Sequence, residues 1–173
     1  MITTSTFKTP FGALFLGSYQ NKLCLADWRY RRMRSAIDKR IQKQLGVDYQ
    51  EGTSDVIEKT KAQLEEYFDG KRTLFDVPLL LIGTDFQKSV WEILLKTPFG
   101  KTITYSQIAK SLNKETAIRA VGAANGANCL SIIVPCHRVV GSDGSLVGYA
   151  GGKRAKKKLL ELENTHTQIE LSL

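Results

Sequence analysis

The period of the apolar pattern changes at about residue 82, and that change limits what the chain can fold into more than any other feature. Over residues 3–28 apolar and polar side chains alternate, interrupted by Pro10, Gly12, Gly17 and the pair Gln20 and Asn21. Alternation places successive side chains on opposite faces of extended backbone, so the segment predicts two or three short antiparallel strands joined by tight turns. Helical spacing follows. Between residues 30 and 45, Met33, Ile37, Ile41 and Leu45 fall four apart on a segment otherwise crowded with arginine and lysine. That spacing predicts a helix whose basic side is solvated, in preference to an arm for an anionic polymer. A second helix is expected from the caps Thr53 and Ser54 to Phe68, with Val56, Ile57, Thr60, Leu64 and Phe68 inward and Gly70 as its stop. Residues 77–82 read as a buried strand.

Beyond Gly83 the helical period dominates. Thr84-Asp85-Phe86-Gln87 has the capping-box pattern and leads into Val90, Ile93 and Leu94 at helix spacing, as far as Thr97-Pro98-Phe99-Gly100. Residues 105–112 carry Tyr105, Ile108, Ala109 and Leu112 on one face; a polar turn, Asn113-Lys114-Glu115, separates them from a second helix over 116–125. This is a helix–turn–helix pattern. Its second helix is mostly Ala and Gly, and glycine weakens a helix by about 1 kcal/mol. Such composition suits close approach of a large partner to the backbone, or equally a tightly packed neighbouring helix. The chain is therefore expected to be α+β: a small sheet-plus-helix domain over 1–81, packed on a mainly helical domain over 82–173 with a winged-helix-like helix–turn–helix.

A chain of 173 residues, 42% hydrophobic and 24% charged, has ordinary globular composition and enough length for a real core. Its formal charge is +8, of which +3 falls in residues 1–81 and +5 in 82–173. A basic balance suits nucleic acid or an acidic membrane surface without requiring either. No apolar run approaches the roughly 20 residues of a bilayer span, and the N-terminus lacks the pattern of a secretory signal. A soluble, cytoplasmic protein is expected. The three cysteines, Cys24, Cys129 and Cys136, form neither a disulfide framework nor a CxxC knuckle, and the histidines are only His137 and His166. Neither a bound metal nor a cofactor is expected.

Ser131-Ile132-Ile133-Val134 reads as a short buried strand that Pro135 ends just before Cys136-His137-Arg138. A cysteine at such a strand end lines a cleft. The nucleophilic form is the thiolate, which a thiol of ordinary pKa needs help to reach at neutral pH. Adjacent side chains in extended backbone point opposite ways, so His137 would assist Cys136 through a bridging water. Spacing alone leaves a second possibility open, a small buried hydrophobe.

The run Pro135-Cys136-His137-Arg138-Val139-Val140 resembles the active-site signature of the O6-alkylguanine-DNA alkyltransferases, or methylated-DNA-protein-cysteine methyltransferases. The resemblance extends from Thr84 to Glu163 through Phe86-Gln87, Val90-Trp91, Tyr105-Ser106-Gln107-Ile108-Ala109, Arg119-Ala120-Val121-Gly122, Asn128 and Gly148-Tyr149-Ala150-Gly151-Gly152. The N-terminal half matches only in length and pattern. Membership implies a single-turnover enzyme of DNA repair. Cys136 would take the alkyl group of O6-alkylguanine, and of O4-alkylthymine, as a thioether that is never reversed. His137 would be the base acting through water, Glu163 its orienter, and Tyr105 the hydroxyl assigned to N3 of the base.

The target base must leave the duplex to reach a buried thiol. Arg119 resembles the finger that fills the gap it leaves, and Asn128 the tie between the helix–turn–helix and the active-site loop. Tyr149, Ala150 and Gly151 match the loop that holds the flipped base, with Ala150 standing where many relatives have serine. The resemblance also implies DNA or base contacts for Thr116, Ala120, Ala123 and Arg138. The partner would be double-stranded DNA containing O6-alkylguanine, bound by a monomer. The cluster Lys153-Arg154-Ala155-Lys156-Lys157-Lys158 is expected on a solvated helix face. The alternative is a module that flips and flags alkylated bases without repairing them, but such relatives replace the cysteine and this chain retains it. A transcription regulator would need a second helix rich in base-reading polar side chains, which 116–125 lacks.

Overall fold

Two residues in the left-handed region set the topology of the N-terminal sheet. Gln20 (φ 48°) and Asn21 (φ 60°) lie between the paired residues Tyr19 and Lys22. A two-residue turn with both φ positive has the twist that antiparallel strands need. It joins β2 (Gly12–Tyr19) to β3 (Lys22–Trp28), while Pro10 and Phe11 join β1 (Ile2–Thr9) to β2. The computed structural model describes the backbone of residues 1–172 and the side chains through Thr167. A fourth strand, β4 (Tyr49–Glu51), pairs parallel with β1 and gives the order β3-β2-β1-β4. Three residues are too few to display a period, so alternation does not reveal it.

Residues 77–82 do not form the expected strand. Leu23 and Leu79 make a single parallel bridge, in which the Leu23 N–H donates to Pro78 O and the Leu80 N–H to Leu23 O, both at 2.8 Å. Pro78 has no N–H with which to continue a ladder. Two helices complete this part. In α1 (Arg34–Leu45), Ile37 and Ile41 are buried, whereas Met33 caps the helix and is 61% exposed. Part of the basic run faces inward: Arg34 bridges Asp27 at 2.7 Å and Asp38 at 2.5 Å, and Asp27 is fully buried. Ser54 caps α2 (Asp55–Phe68) by accepting from the Ile57 N–H, and Gly70 (φ 73°) ends it. The helix buries Tyr67 more deeply than Phe68, which instead packs edge-on against Phe11.

The chain forms two compact units, one through Ile82 and one from Gly83. In the second, Thr84 and Gln87 make the expected capping box at the start of α3 (Asp85–Leu95). Thr104 and Gln107 make another, at α4 (Tyr105–Ser111). After Asn113 (φ 54°) the chain turns into α5 (Ile118–Gly126), which begins two residues later than its composition suggests. The Trp91 indole of α3 donates to Ala124 O of α5 at 2.8 Å. A two-residue parallel pair, β5 (Ile103–Thr104) with β6 (Val139–Val140), and the long α6 (Gly152–Ser172) complete the unit. Among the described residues no helix is long and apolar enough to cross a membrane.

Candidate active site

The segment read as a strand, residues 131–134, is a buried turn. Val134 N–H donates to Leu130 O at 2.8 Å, and Ile132 stands at φ 73° with 1% of its surface exposed. A short apolar run bounded by punctuating residues gives the same sequence signal whether it is extended or coiled. A β-branched residue in the left-handed region is strained and persists only where its surroundings hold it. Asn128 is one such support: its amide donates to Val134 O at 2.9 Å, and its Oδ1 accepts from the Leu130 N–H at 3.0 Å. Pro135 then leads into one turn of 3-10 helix, Cys136–Arg138. The strain and the Asn128 bonds fix where Cys136 sits, 2% exposed at the start of that turn.

Glu163 of α6 meets this turn from the side. Its Oε1 is 2.7 Å from His137 Nε2, and Arg138 donates to it through Nε at 3.0 Å and Nη2 at 2.9 Å. Arg138 Nη1 donates to Thr97 O at 2.7 Å. His137 is fully buried, and Glu163 is 1% exposed. Burial opposes the charge on Glu163, but His137 and the forked bond from Arg138 outweigh it and hold the carboxyl down at about 2. Burial pushes the His137 imidazole below its ordinary value against the pull of Glu163, with Arg138 and Lys156 adding repulsion. A neutral imidazole that donates from Nε2 to a carboxylate keeps its lone pair on Nδ1. That nitrogen is buried and makes no hydrogen bond among the described residues.

Tyr105, at the first turn of α4, is half-buried. Its hydroxyl is held protonated, above its ordinary range, by burial and by charge on Cys136, while the amide of Asn125 acts in the opposite direction. Its ring lies against α5: a Cβ added to Gly122 would stand 4.0 Å from it. That is an ordinary van der Waals separation, so the ring does not require glycine at that position. Tyr149 crosses the His137 ring edge-on, with centroids 6.4 Å apart, and it shares with Ala150 and buried Gly151 the loop before α6.

Cys136, His137, Glu163, Tyr105 and Tyr149 are therefore gathered in one place. Thr116, Arg119, Ala120 and Ala123 are instead exposed, along one side of α5 and the turn before it, while Val121, Ala124 and Asn125 face the interior. Two residues lie elsewhere than expected. Arg138, expected among the DNA contacts, is 6% exposed with its guanidinium committed to Glu163 and Thr97. Lys156, expected on a solvated face with its basic neighbours, is fully buried and donates to Val147 O at 2.7 Å. Its spacing carries the missing signal, since Lys156 stands seven residues before Glu163 and so shares its side of the helix. Asn125, three residues beyond Gly122, is a further inward polar group that the small-residue composition of α5 conceals.

Two family models match most of the chain: the ribonuclease-like domain of 6-O-methylguanine DNA methyltransferase over residues 2–81, and the DNA binding domain of the same family over 85–165. A methylated-DNA-protein-cysteine methyltransferase of Methanosarcina acetivorans is 50% identical over 159 residues, 92% of this chain and 96% of that protein. The Methanosarcina barkeri protein of that name is 56% identical over 104 residues, which span 60% of this chain and 66% of its own length. Among solved structures, Mycobacterium tuberculosis OGT in complex with DNA superposes with a TM-score of 0.81 at 38% identity, covering 95% of this chain and 94% of the other.

Proposed function

The chain belongs to the 6-O-methylguanine DNA methyltransferase family, and from that premise we propose that it repairs alkylated DNA by moving the alkyl group to its own Cys136. The observation that carries this reading is the buried cluster of His137, Glu163 and Arg138 beside that cysteine, with Nδ1 of His137 left unbonded. Arg138 keeps Glu163 ionised, Glu163 fixes the His137 tautomer, and the free lone pair takes the thiol proton through a water.

The thiolate electron pair then forms the bond from sulfur to the alkyl carbon. The bond from that carbon to O6 breaks, its pair passes to the purine, and the Tyr105 hydroxyl supplies a proton to the base. Nothing in the cluster can expel the alkyl group from a thioether, so each protein reacts once. Cys136 is 2% exposed, so the base must be flipped out of the duplex to reach it. The pair α4 and α5 acts as the helix–turn–helix, with the exposed row Thr116, Arg119, Ala120 and Ala123 against the DNA and Arg119 in the gap left by the base. Tyr149, Ala150 and Gly151 hold the flipped base. O4-alkylthymine presents a similar alkyl–oxygen bond and is a second substrate.

Intact-mass measurement after mixing with duplex DNA containing O6-methylguanine tests this. The expected result is a gain of one methyl group, mapped to Cys136 and absent in Cys136→Ala. Unchanged mass with retained binding to the alkylated duplex overturns repair in favour of a protein that only marks the lesion.

A further inference from the structure

One buried side chain on the inner side of α5 has an acceptor with nothing to accept. Asn125 is 6% exposed, and its Oδ1 makes no hydrogen bond among the described residues. A buried acceptor left unpaired is costly, and an amide side chain can ordinarily turn over to use its oxygen.

Tyr105 holds Asn125 the costly way round. The Tyr105 ring lies against α5 at Gly122, 4.0 Å from where a Cβ of that residue would stand, and Asn125 follows three residues later on the same side of the helix. From the first turn of α4 the Tyr105 hydroxyl is hydrogen-bonded to the Asn125 side chain. That bond favours the ionised phenol, so the amide is the donor: Nδ2 faces the hydroxyl and Oδ1 is left over.

A phenolic oxygen can accept one hydrogen bond while it donates another. With the amide filling its acceptor side, the Tyr105 proton stays available for a different acceptor. With the amide reversed, Oδ1 would consume it.

We propose that Asn125 is a positioning residue for the transfer, its amide holding the Tyr105 hydroxyl so that the phenolic proton faces N3 of the flipped base. This rests on the reading of Cys136 as alkyl acceptor and of Tyr105 as the donor to the base. Asn125 gains and loses no proton in the step.

The test is a double-mutant cycle in single-turnover methyl transfer from duplex DNA containing O6-methylguanine. It compares the unaltered chain, Asn125→Leu, Tyr105→Phe and the two substitutions together. Asn125→Leu is expected to slow transfer roughly tenfold when Tyr105 is present, and by about twofold or less in the Tyr105→Phe background, because residues that act through one partner are not additive. Equal slowing in both backgrounds overturns the proposal, since a loss of helix packing alone would not depend on the hydroxyl.

A second measurement changes the base and leaves the chain as it is. O6-methyl-3-deazaguanine carries carbon in place of N3 and can accept no hydrogen bond there. The unaltered chain is expected to react with it about tenfold more slowly than with O6-methylguanine, and Asn125→Leu to react with both at nearly the same rate. Equal rates in the unaltered chain overturn the proposal without any variant. A chain that gains no methyl group from either duplex overturns the acceptor reading, and the positioning role falls with it.

Discussion

Glu163 is the residue on which most of the site's electrostatics converge. It accepts from His137 at 2.7 Å and twice from Arg138, and all three side chains are nearly or fully buried. In Glu163→Gln the guanidinium loses its counter-charge in a buried site. Breaking a buried pair from one side costs about 3 kcal/mol, and urea unfolding at neutral pH is expected to show a loss of that order. The pH dependence follows from the same contacts. Glu163 titrates at about 2 in the folded chain against 4.5 ordinarily, so its stabilisation is complete above the ordinary value and is lost as pH falls toward 2. His137 is depressed below its ordinary 6.5, so the unfolded chain binds its proton first and stability falls as pH drops below 6.5. Urea midpoints of the unaltered chain should therefore decline from pH 6.5 down to about pH 2, and Glu163→Gln should flatten the lower part of that decline. An equally steep acid limb in the variant would place the titrating carboxylate elsewhere.

At the scale of elements, the decisive piece is the strained turn before Cys136. Ile132 is buried at φ 73°, a conformation that disfavours any residue with a Cβ by about 1 kcal/mol or more. Ordinarily glycine is less stabilising than alanine because the unfolded chain gains freedom. Here the order should invert: both variants lose the Ile132 side chain, but only Ile132→Gly sheds the strain. Denaturant midpoints should rank Ile132→Gly at or above Ile132→Ala. The reverse ranking would mean that the turn is not under strain. The same turn marks the limit of what sequence can disclose. Thr84 and Gln87 announce their helix because a cap is local, four residues whose bonds are made among themselves. Residues 131–134 are shaped by Asn128 and by burial on all sides, and their apolar run fits a strand equally well. The resemblance singles out Cys136, His137, Glu163 and Tyr105, and the fold brings these residues together. Lys156 is hidden among the basic residues Lys153, Arg154, Lys157 and Lys158, and only the turn of α6 separates the one that points inward.

For the molecule as a whole, the net charge of +8 has to be set against where the cations are. The exposed row on α5 and the turn before it contains Thr116, Ala120 and Ala123 with Arg119 as its one cation, so that face contributes little long-range attraction. If this row lies in the minor groove as proposed, its small side chains would discriminate weakly between sequences, as a search for lesions in any context requires. Attraction to phosphates must then come largely from lysines outside α5, and affinity should fall steeply with added salt. Arg119→Ala separates the two contributions. It removes at most one phosphate contact, so the slope of log affinity against log salt should fall by about one or less. If Arg119 instead fills the space of the flipped nucleotide, its loss must slow methyl transfer from duplex DNA at least about tenfold, because unstacking is worth a few kcal/mol. Transfer from free O6-benzylguanine, which has no stack to leave, should proceed at the original rate. The measurement is a pair of single-turnover rates on the two substrates at matched occupancy. Equal losses on both would place Arg119 in the chemistry of the pocket and remove it from the act of flipping.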